Sequence, residues 1–568
     1  MRPPALLFHF INLLFIPQED SPVKRPAGSL WHFFAGPPTM ISWISPLLCF
    51  IIYSLTNMGE LFMTSPAWQG SLLFRLVAGL AGTFRQSTCC GWLTDTTWPE
   101  RSRVIRSSLF ARMLTILACL LLRPLLLAGT AIRRGLPGSF LVNLSTRPFW
   151  KKSFILTSIA QIRVETVLLL VIGYPVVDFL LRNSRFMLLA GYWDEILFIL
   201  IVLAWPIQMA LRGKLFYRLT PMDMPILFFI AVVAFLFFVR SPQMGVAIEG
   251  VRVYVQYMLW FFVAGNLLLN KQQARQLVNF LVFLGTLIAL HGVYQYIIGV
   301  EIPSTWMDAA EESVRTRVFS ILTSPNVLGS FLVLLIPITF SQLLSAGSRL
   351  QRYYYAACLV PMALSLVFTY SRGAWLAMAG AFLIYGLIYN WRILLGLGAI
   401  IYTAPKLLPG ISSRISYMLS PAYLLSSARA GRVARWGKAI EKLQSNPLFG
   451  EGFGRYGGAV AARYVPSSNY VDNFYLKTAA EAGIVGLAAF VWLLISGIRC
   501  ILNSYRRLTD TYLKGLAGGL LAGLMGILLH NGVENIFEVP TMAVYFWFLL
   551  GVAAALPHLE DQETPPLK

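Results

Sequence analysis

The sequence predicts an all-α fold: a polytopic transmembrane helix bundle of about 12–14 spans, with one long extracytoplasmic loop containing amphipathic helices. Three observations carry that prediction. The chain of 568 residues is 57% hydrophobic and only 12% charged, with mean hydropathy +0.66, which excludes an ordinary soluble domain. Its apolar stretches are continuous rather than alternating, so they suit helices and not a barrel. Between them lie short polar links whose basic residues fall mostly on one side.

In chain order, residues 1–150 form a poorly defined N-terminal region with one or two possible spans. Residues 5–16 match a signal-peptide core in length, but Arg2 is the only upstream charge and no clear cleavage site follows. An upstream extension of the coding frame is the alternative for part of this region. Residues 151–404 then supply transmembrane helices, 405–481 the long loop, and 482–568 the C-terminal helices with a short cytoplasmic tail. The clearest spans are 224–239, 278–299, 326–344, 354–369, 373–389, 484–502, 515–529 and 540–556. Most have about the length a helix needs to cross a hydrocarbon core. The six cysteines show no metal-ligand spacing with histidine, so neither disulfides nor structural zinc are expected.

Orientation follows from the links. If each stretch from 224 onward crosses once, twelve basic residues lie on one set of short links and five (Arg240, Arg252, Arg315, Arg317 and Arg372) on the other. The richer set is assigned to the cytoplasm. Arg182 and Arg185 run against this bias. Segments 301–320, 370–373, 405–481 and 530–540 are then extracytoplasmic, and they hold nearly every chemically unusual residue. The net charge of +21 is read as cytoplasmic loops and headgroup contacts, not as a nucleic-acid surface, because no soluble basic domain is present.

Each outer motif has a plain reading beside a functional one. In Thr323-Ser324-Pro325-Asn326, Ser324 suits an N-cap and Pro325 the first helical position. Arg315 and Arg317 just upstream suit lipid phosphates. In Ser371-Arg372-Gly373, the guanidinium either snorkels to the headgroups or faces a cavity as a fixed fork of donors for phosphate. The 405–481 loop is too long for an ordinary connection, and an amphipathic helix is expected over 427–443, with Val433, Trp436, Ile440 and Leu443 at helical spacing. Arg429, Arg432, Arg435, Lys438 and Lys442 surround that stripe, either as a headgroup-binding face or as a basic lid over a pyrophosphate-bearing substrate. The spaced glycines of 446–454 lack the strand and helix of a nucleotide fingerprint and read as a tight turn. Asp472-Asn473 is either a helix cap or a carboxylate that accepts a hydroxyl proton. His530 and Glu534 end the next span on the same face.

Taken in order, Arg317 with TSPNVLG, SRGAW at 371–375, Arg432 with Trp436, NPLFGEGFG, DNFYLKTAAEAGIVGL at 472–487 and HNGVEN at 530–535 resemble the O-antigen ligase and polymerase family of bacterial envelope glycosyltransferases. The resemblance covers roughly 224–556 and implies glycan transfer from a polyprenyl-diphosphate donor. The acceptor is a glycan, a lipid or a protein hydroxyl, at the outer face of the bacterial cytoplasmic membrane. It implies a metal-independent, inverting displacement with no cofactor and no nucleic-acid partner. Arg372 and Arg432 stand where the family's essential arginines bind diphosphate. Arg315, Arg317, Asn326, Ser371, Arg435, Asn473 and His530 are the further substrate-binding candidates. The family's ligases carry His where this chain has Asp472, and a carboxylate is a weaker base than an imidazole. That departure points away from a lipid-core ligase and toward a polymerase or another acceptor, with Asp472 as the candidate base. The readings that compete with it are a transporter or flippase of lipid-linked glycan, a protein O-oligosaccharyltransferase of the same family, and a membrane sensor or scaffold whose outer loop only binds.

Overall fold

The computed structural model describes residues 164–561, apart from breaks at 186–189, 213–217, 219, 269, 302, 304–315, 323, 408, 430, 466–467 and 469. The region expected over 1–150, and Arg315, lie outside the described residues. Among the described residues every regular element is a helix. The first are α1 (Val164–Ile172), α2 (Tyr174–Arg182), α3 (Trp193–Arg212) and α4 (Asp223–Val239). Next, α5 (Met244–Val255) runs through a 3-10 turn at Gln256–Leu259 into α6 (Trp260–Leu267). The central helices are α7 (Lys271–Ile298), α8 (Pro325–Leu344), α9 (Arg349–Phe368) and α10 (Arg372–Ile388). Five shorter ones follow: α11 (Arg392–Leu407), α12 (Pro409–Met418), α13 (Pro421–Arg429), α14 (Arg432–Ser445) and α15 (Ala459–Tyr464). The chain then returns through α16 (Phe474–Arg507), α17 (Thr511–His530), a 3-10 turn at Ile536–Glu538 and α18 (Pro540–Asp561).

All eight of the clearest expected spans fall on helices, in α4, α7, α8, α9, α10, α16, α17 and α18. Six stretches among the described residues are long and apolar enough to cross a membrane: Met244–Leu267, Lys271–Ile298, Pro325–Leu344, Phe474–Arg507, Thr511–His530 and Pro540–Glu560. The bent pair Arg392–Leu407 and Ser412–Met418 makes a seventh if taken as one span, and α4 and α10 are shorter apolar helices. The chain is a multi-pass membrane protein, and its described residues are built entirely from helices and their links.

Close packing at the centre depends on small residues in α17. Gly515, Gly519, Gly523 and Gly526 fall on one face, against α8. A Cβ at Gly523 would sit 2.4 Å from the Leu334 carbonyl oxygen, and one at Gly519 2.9 Å from the Ile338 Cα. In lipid there is little hydrophobic drive between helices, so backbone proximity of this kind supplies the dispersion contacts that hold them. α10 packs against both α17 and α8, and α18 against α6 and α16.

Three expectations are corrected here. The helix expected over 427–443 is two helices, because Gly431 is extended and begins α14 at Arg432. Ser427 Oγ accepts the Val433 N–H across the break, satisfying one of the orphan donors of the new helix. Nor does the Val433–Leu443 stripe all turn inward: Val433 and Ile440 are exposed, while Trp436 packs by the buried Ala439, Tyr456, Val471 and Ala480. Ion pairs made by Arg432 and Arg435, described below, fix the rotation of this helix. In addition, Arg252, counted as a link residue, lies inside α5 and pairs with Glu195.

The glycine-rich segment 446–454 forms a tight turn, and it docks into a break in α16. Gly483 takes a left-handed φ of 65°, and the Ile484 and Val485 N–H groups donate to the Pro447 and Leu448 carbonyls. The turn thus replaces acceptors that the helix would supply to itself.

The α8–α17 contact can be tested directly. Gly523→Val should overpack it and cost about 1–3 kcal/mol, lowering the thermal midpoint of the purified protein in detergent. Gly396→Val, where nothing lies within 4 Å of a new Cβ, should leave the midpoint unchanged. Equal midpoints for both variants would show that the helices are not held by this approach.

Candidate functional site

Four helix starts meet at one end of the bundle around a cavity of about 890 Å³. They are those of α8, α10, α14 and α16, and they bring one residue or more from each of the four segments assigned to a single side by the link charges. Five arginines line the cavity (Arg317, Arg372, Arg414, Arg432 and Arg435), with three carboxylates, Asp472, Glu534 and Glu538. Helix starts carry partial positive charge, so arginines there oppose the local field unless an anion joins them.

At the α8 start, Ser324 accepts the Val327 N–H and Pro325 fills the first turn, as its sequence suggests. This fixes Asn326 at the cavity wall. Its Oδ1 accepts from Arg317 Nη2 at 3.2 Å and from the Ser371 hydroxyl at 2.9 Å, while its Nδ2 donates to Glu534 Oε2 at 2.5 Å. Arg317 is buried and also donates from Nε to the Thr369 carbonyl.

The α10 start is reached through Tyr370, held at a left-handed φ of 50°, and is capped by Ser371, whose Oγ accepts the Ala374 N–H. Arg372 is the first helical residue. Its guanidinium stands over the rings of Tyr423, at 4.8 Å, and Tyr417, at 5.8 Å. The Nη1 group is buried and finds no hydrogen-bond partner among the described residues. An orphaned buried guanidinium nitrogen is costly, and here it borders open volume. The other functional candidate in this wall is one that the sequence reading missed: Arg414 of α12, buried, donating from Nη2 to the Tyr370 carbonyl at 2.6 Å.

Arg432 opens α14 and bridges two carboxylates, with Nε 3.5 Å from Asp472 Oδ2 and Nη2 3.5 Å from Glu534 Oε2. Arg435, one turn on, is 2.9 Å from Asp472 Oδ2 and donates to the Tyr470 carbonyl. Asp472 itself is left-handed, with φ 53°. Glu534 is recessed, and burial together with the neighbouring Asp472 carboxylate pushes its pKa up to about 7 against the opposing pull of Arg432.

Two of the expected substrate-binding residues sit elsewhere. Asn473 is the cap of α16, accepting the Leu476 N–H, and its own N–H donates to Asn535 Oδ1. His530 is buried beneath the cavity wall, with Nδ1 2.5 Å from Ser330 Oγ and its ring directly under Gly373. It lies one turn beyond Gly526 on the packed face of α17, a spacing that was visible in the sequence. Arg317, Asn326, Ser371, Arg372, Arg432, Arg435 and Asp472 do share the cavity. Glu534 takes a larger part than the sequence reading gave it. Among the described residues no group of three His, Cys, Asp or Glu side chains is placed to hold a metal ion.

A search of the curated proteins gives no match to the chain. Residues 357–491, which run from mid-α9 through Arg372, the loop helices, Asp472 and the first half of α16, match the family model described as O-antigen ligase. That match supports the O-antigen ligase and polymerase family for this chain, on the segment that contributes Arg372, Arg432 and Asp472 to the cavity.

Proposed function

We propose that this protein transfers a glycan from a polyprenyl-diphosphate donor to an acceptor hydroxyl at the outer face of the cytoplasmic membrane, in polymerisation or ligation of a surface polysaccharide. The observation that carries the reading is the buried, unpartnered Nη1 of Arg372 on a five-arginine cavity formed by converging helix starts. A diphosphate supplies the anion that such an arrangement lacks, and planar guanidinium groups bind it through paired hydrogen bonds. As the glycosidic bond to the diphosphate breaks, negative charge grows on the leaving oxygen. Arg372 and Arg432, fixed at the first positions of α10 and α14, stabilise that charge without reorganising. The arginines fill the role that a divalent cation plays in other glycosyl transfers. Attack by the acceptor from the opposite face of the sugar inverts the anomeric centre. Asp472 or Glu534, the carboxylates on either side of Arg432, receives the acceptor proton.

The decisive experiment is transfer in vitro with the full-length protein and the polyprenyl-diphosphate glycans extracted from membranes of cells lacking this gene. Elongated or ligated product is expected, and movement of unmodified lipid-linked glycan across the bilayer without product would replace this reading with transport. If Arg372 and Arg432 act through their planar forks, lysine at either position should slow transfer at least about 100-fold, nearly as badly as alanine. Wild-type turnover in both lysine variants would reduce the two arginines to general positive charge.

The proposed side of the membrane has its own test. In a protein freed of its six native cysteines, Lys438→Cys on the exposed face of α14 should react with an impermeant maleimide added outside. Gln351→Cys, exposed at the opposite end, should react only after the membrane is opened. The reverse pattern would place the cavity in the cytoplasm.

A further inference from the structure

We infer that Glu534 is the proton acceptor of this cavity and that Asp472 is a positioning residue, holding Arg432 and Arg435 in place. The inference rests on the glycan-transfer reading above and assigns a role within it. Both carboxylates touch Arg432, at 3.5 Å each, but their surroundings differ. Asp472 has a second guanidinium, Arg435, at 2.9 Å on the same oxygen, so a proton arriving there would disrupt two ion pairs and release the start of α14. Its left-handed backbone, between Tyr470 and the Asn473 cap, aims it at that pair. Glu534 shares one guanidinium, and its other partners are neutral amides, Asn326 Nδ2 on the same oxygen as Arg432 and the Asn535 backbone N–H. A proton on the other oxygen breaks neither the Arg432 nor the Asn326 contact. Glu534 also adjoins Arg372 through a short chain, because Asn326 accepts from Ser371, the residue before it.

The charged groups facing Glu534 come from three directions. Arg432 faces it from α14, Asp472 and Tyr470 from the segment before α16, and Arg317 through Asn326 from the start of α8. On its own segment, Glu538 is one turn away and is engaged with Lys477. Burial and Asp472 outweigh Arg432 and place the proton affinity of Glu534 near neutrality, where a general base is most effective.

The step balances as follows. The acceptor hydroxyl oxygen forms a bond to the anomeric carbon, and the carbon–oxygen bond to the diphosphate breaks, its electron pair leaving on the polyprenyl diphosphate. The hydroxyl proton passes to the Glu534 carboxylate and then to solvent. No oxidant, reductant or further reactant enters.

The test measures transfer and binding separately, with membrane-extracted polyprenyl-diphosphate glycans as donor and undecaprenyl diphosphate as the binding probe. Glu534→Gln should keep undecaprenyl diphosphate affinity and thermal midpoint but lose transfer by about 10²–10⁴-fold. Because the base must be deprotonated, the parent rate should rise with pH through about 7 and level off above it. Asp472→Asn removes a negative neighbour of Glu534. It should therefore retain measurable transfer, slowed by weaker donor binding, with the acidic limb moved to lower pH. Transfer by Glu534→Gln at the parent rate would overturn the assignment. So would an Asp472→Asn protein that binds probe, lacks all transfer and leaves Glu534→Gln active, which would return the base to Asp472. A parent protein that binds undecaprenyl diphosphate yet transfers nothing would instead overturn the glycan-transfer reading itself.

Discussion

The buried ammonium of Lys477 is the constraint on which the cavity depends. Its Nζ lies 2.6 Å from Glu481 Oε2, one turn along α16, and 3.4 Å from Glu538 Oε1, and it donates to the Tyr254 hydroxyl at 3.3 Å. Both Lys477 and Glu481 are withdrawn from solvent, so neither charge is tolerable alone. Remaining lone pairs are taken up by the backbone: the Tyr456 N–H donates to Glu481 and the Ala459 N–H to Glu538. One positive charge therefore ties α5, α16, the 456–459 turn and the 3-10 turn before α18 to a single point. Removing one partner of such a set costs about 3–5 kcal/mol, far more than a surface pair.

That point lies directly behind the chemistry. Asp472 and Asn473 immediately precede the helix that carries Lys477, and Glu534 stands one turn before Glu538. Asn535 secures the joint between them, accepting the Asn473 N–H and donating to the Gly457 carbonyl. The two carboxylates that bracket Arg432 are thus positioned by a buried ion cluster that never opens to the cavity through its ammonium. Positioning of reacting groups by a packed shell behind them is what keeps catalytic geometry within the narrow tolerance it requires.

Much of this was legible in the chain because the signals are local. Continuous apolar runs marked the eight clearest spans, and the asymmetry of basic links grouped the four segments that meet at the cavity. The Ser324–Pro325 cap could be read from two residues. The rest depended on distance along the chain. Lys477 and Glu481 have helical pair spacing in sequence, but Glu538, without which the pair is incomplete, lies beyond another whole helix. Arg414 carries no signal in the sequence, because a contact that places it is to the backbone carbonyl of Tyr370. The 427–443 helix was misread for a different reason: helix-forming residues continue on both sides of Gly431, and only the ion pairs of Arg432 and Arg435 require a new axis there. His530 was placed with the outer chemistry by its position at a span end, whereas its four-residue spacing from Gly526 puts it on the packed face of α17.

The charge balance of the cavity connects its parts. Five arginines and three carboxylates leave a surplus of two positive charges among its lining residues. In the transfer proposed above, the donor is a glycan joined to a lipid through a diphosphate and carries about two negative charges, one on each phosphate, so its binding would neutralise the wall. Departure of the glycan turns one linkage into a terminal phosphate and adds up to about one negative charge to the lipid product. Transfer of the acceptor proton to Glu534, as inferred above, would remove one negative charge from the wall in the same step. On that proposal the cavity would meet donor and product with matched charge, while Asp472, paired with both Arg432 and Arg435, would keep the arginines from drifting toward the growing anion. Loss of the Glu534 proton to solvent restores the smaller surplus. The wall then holds the spent lipid diphosphate less strongly than it did at the moment of transfer, which favours its release and the entry of the next donor.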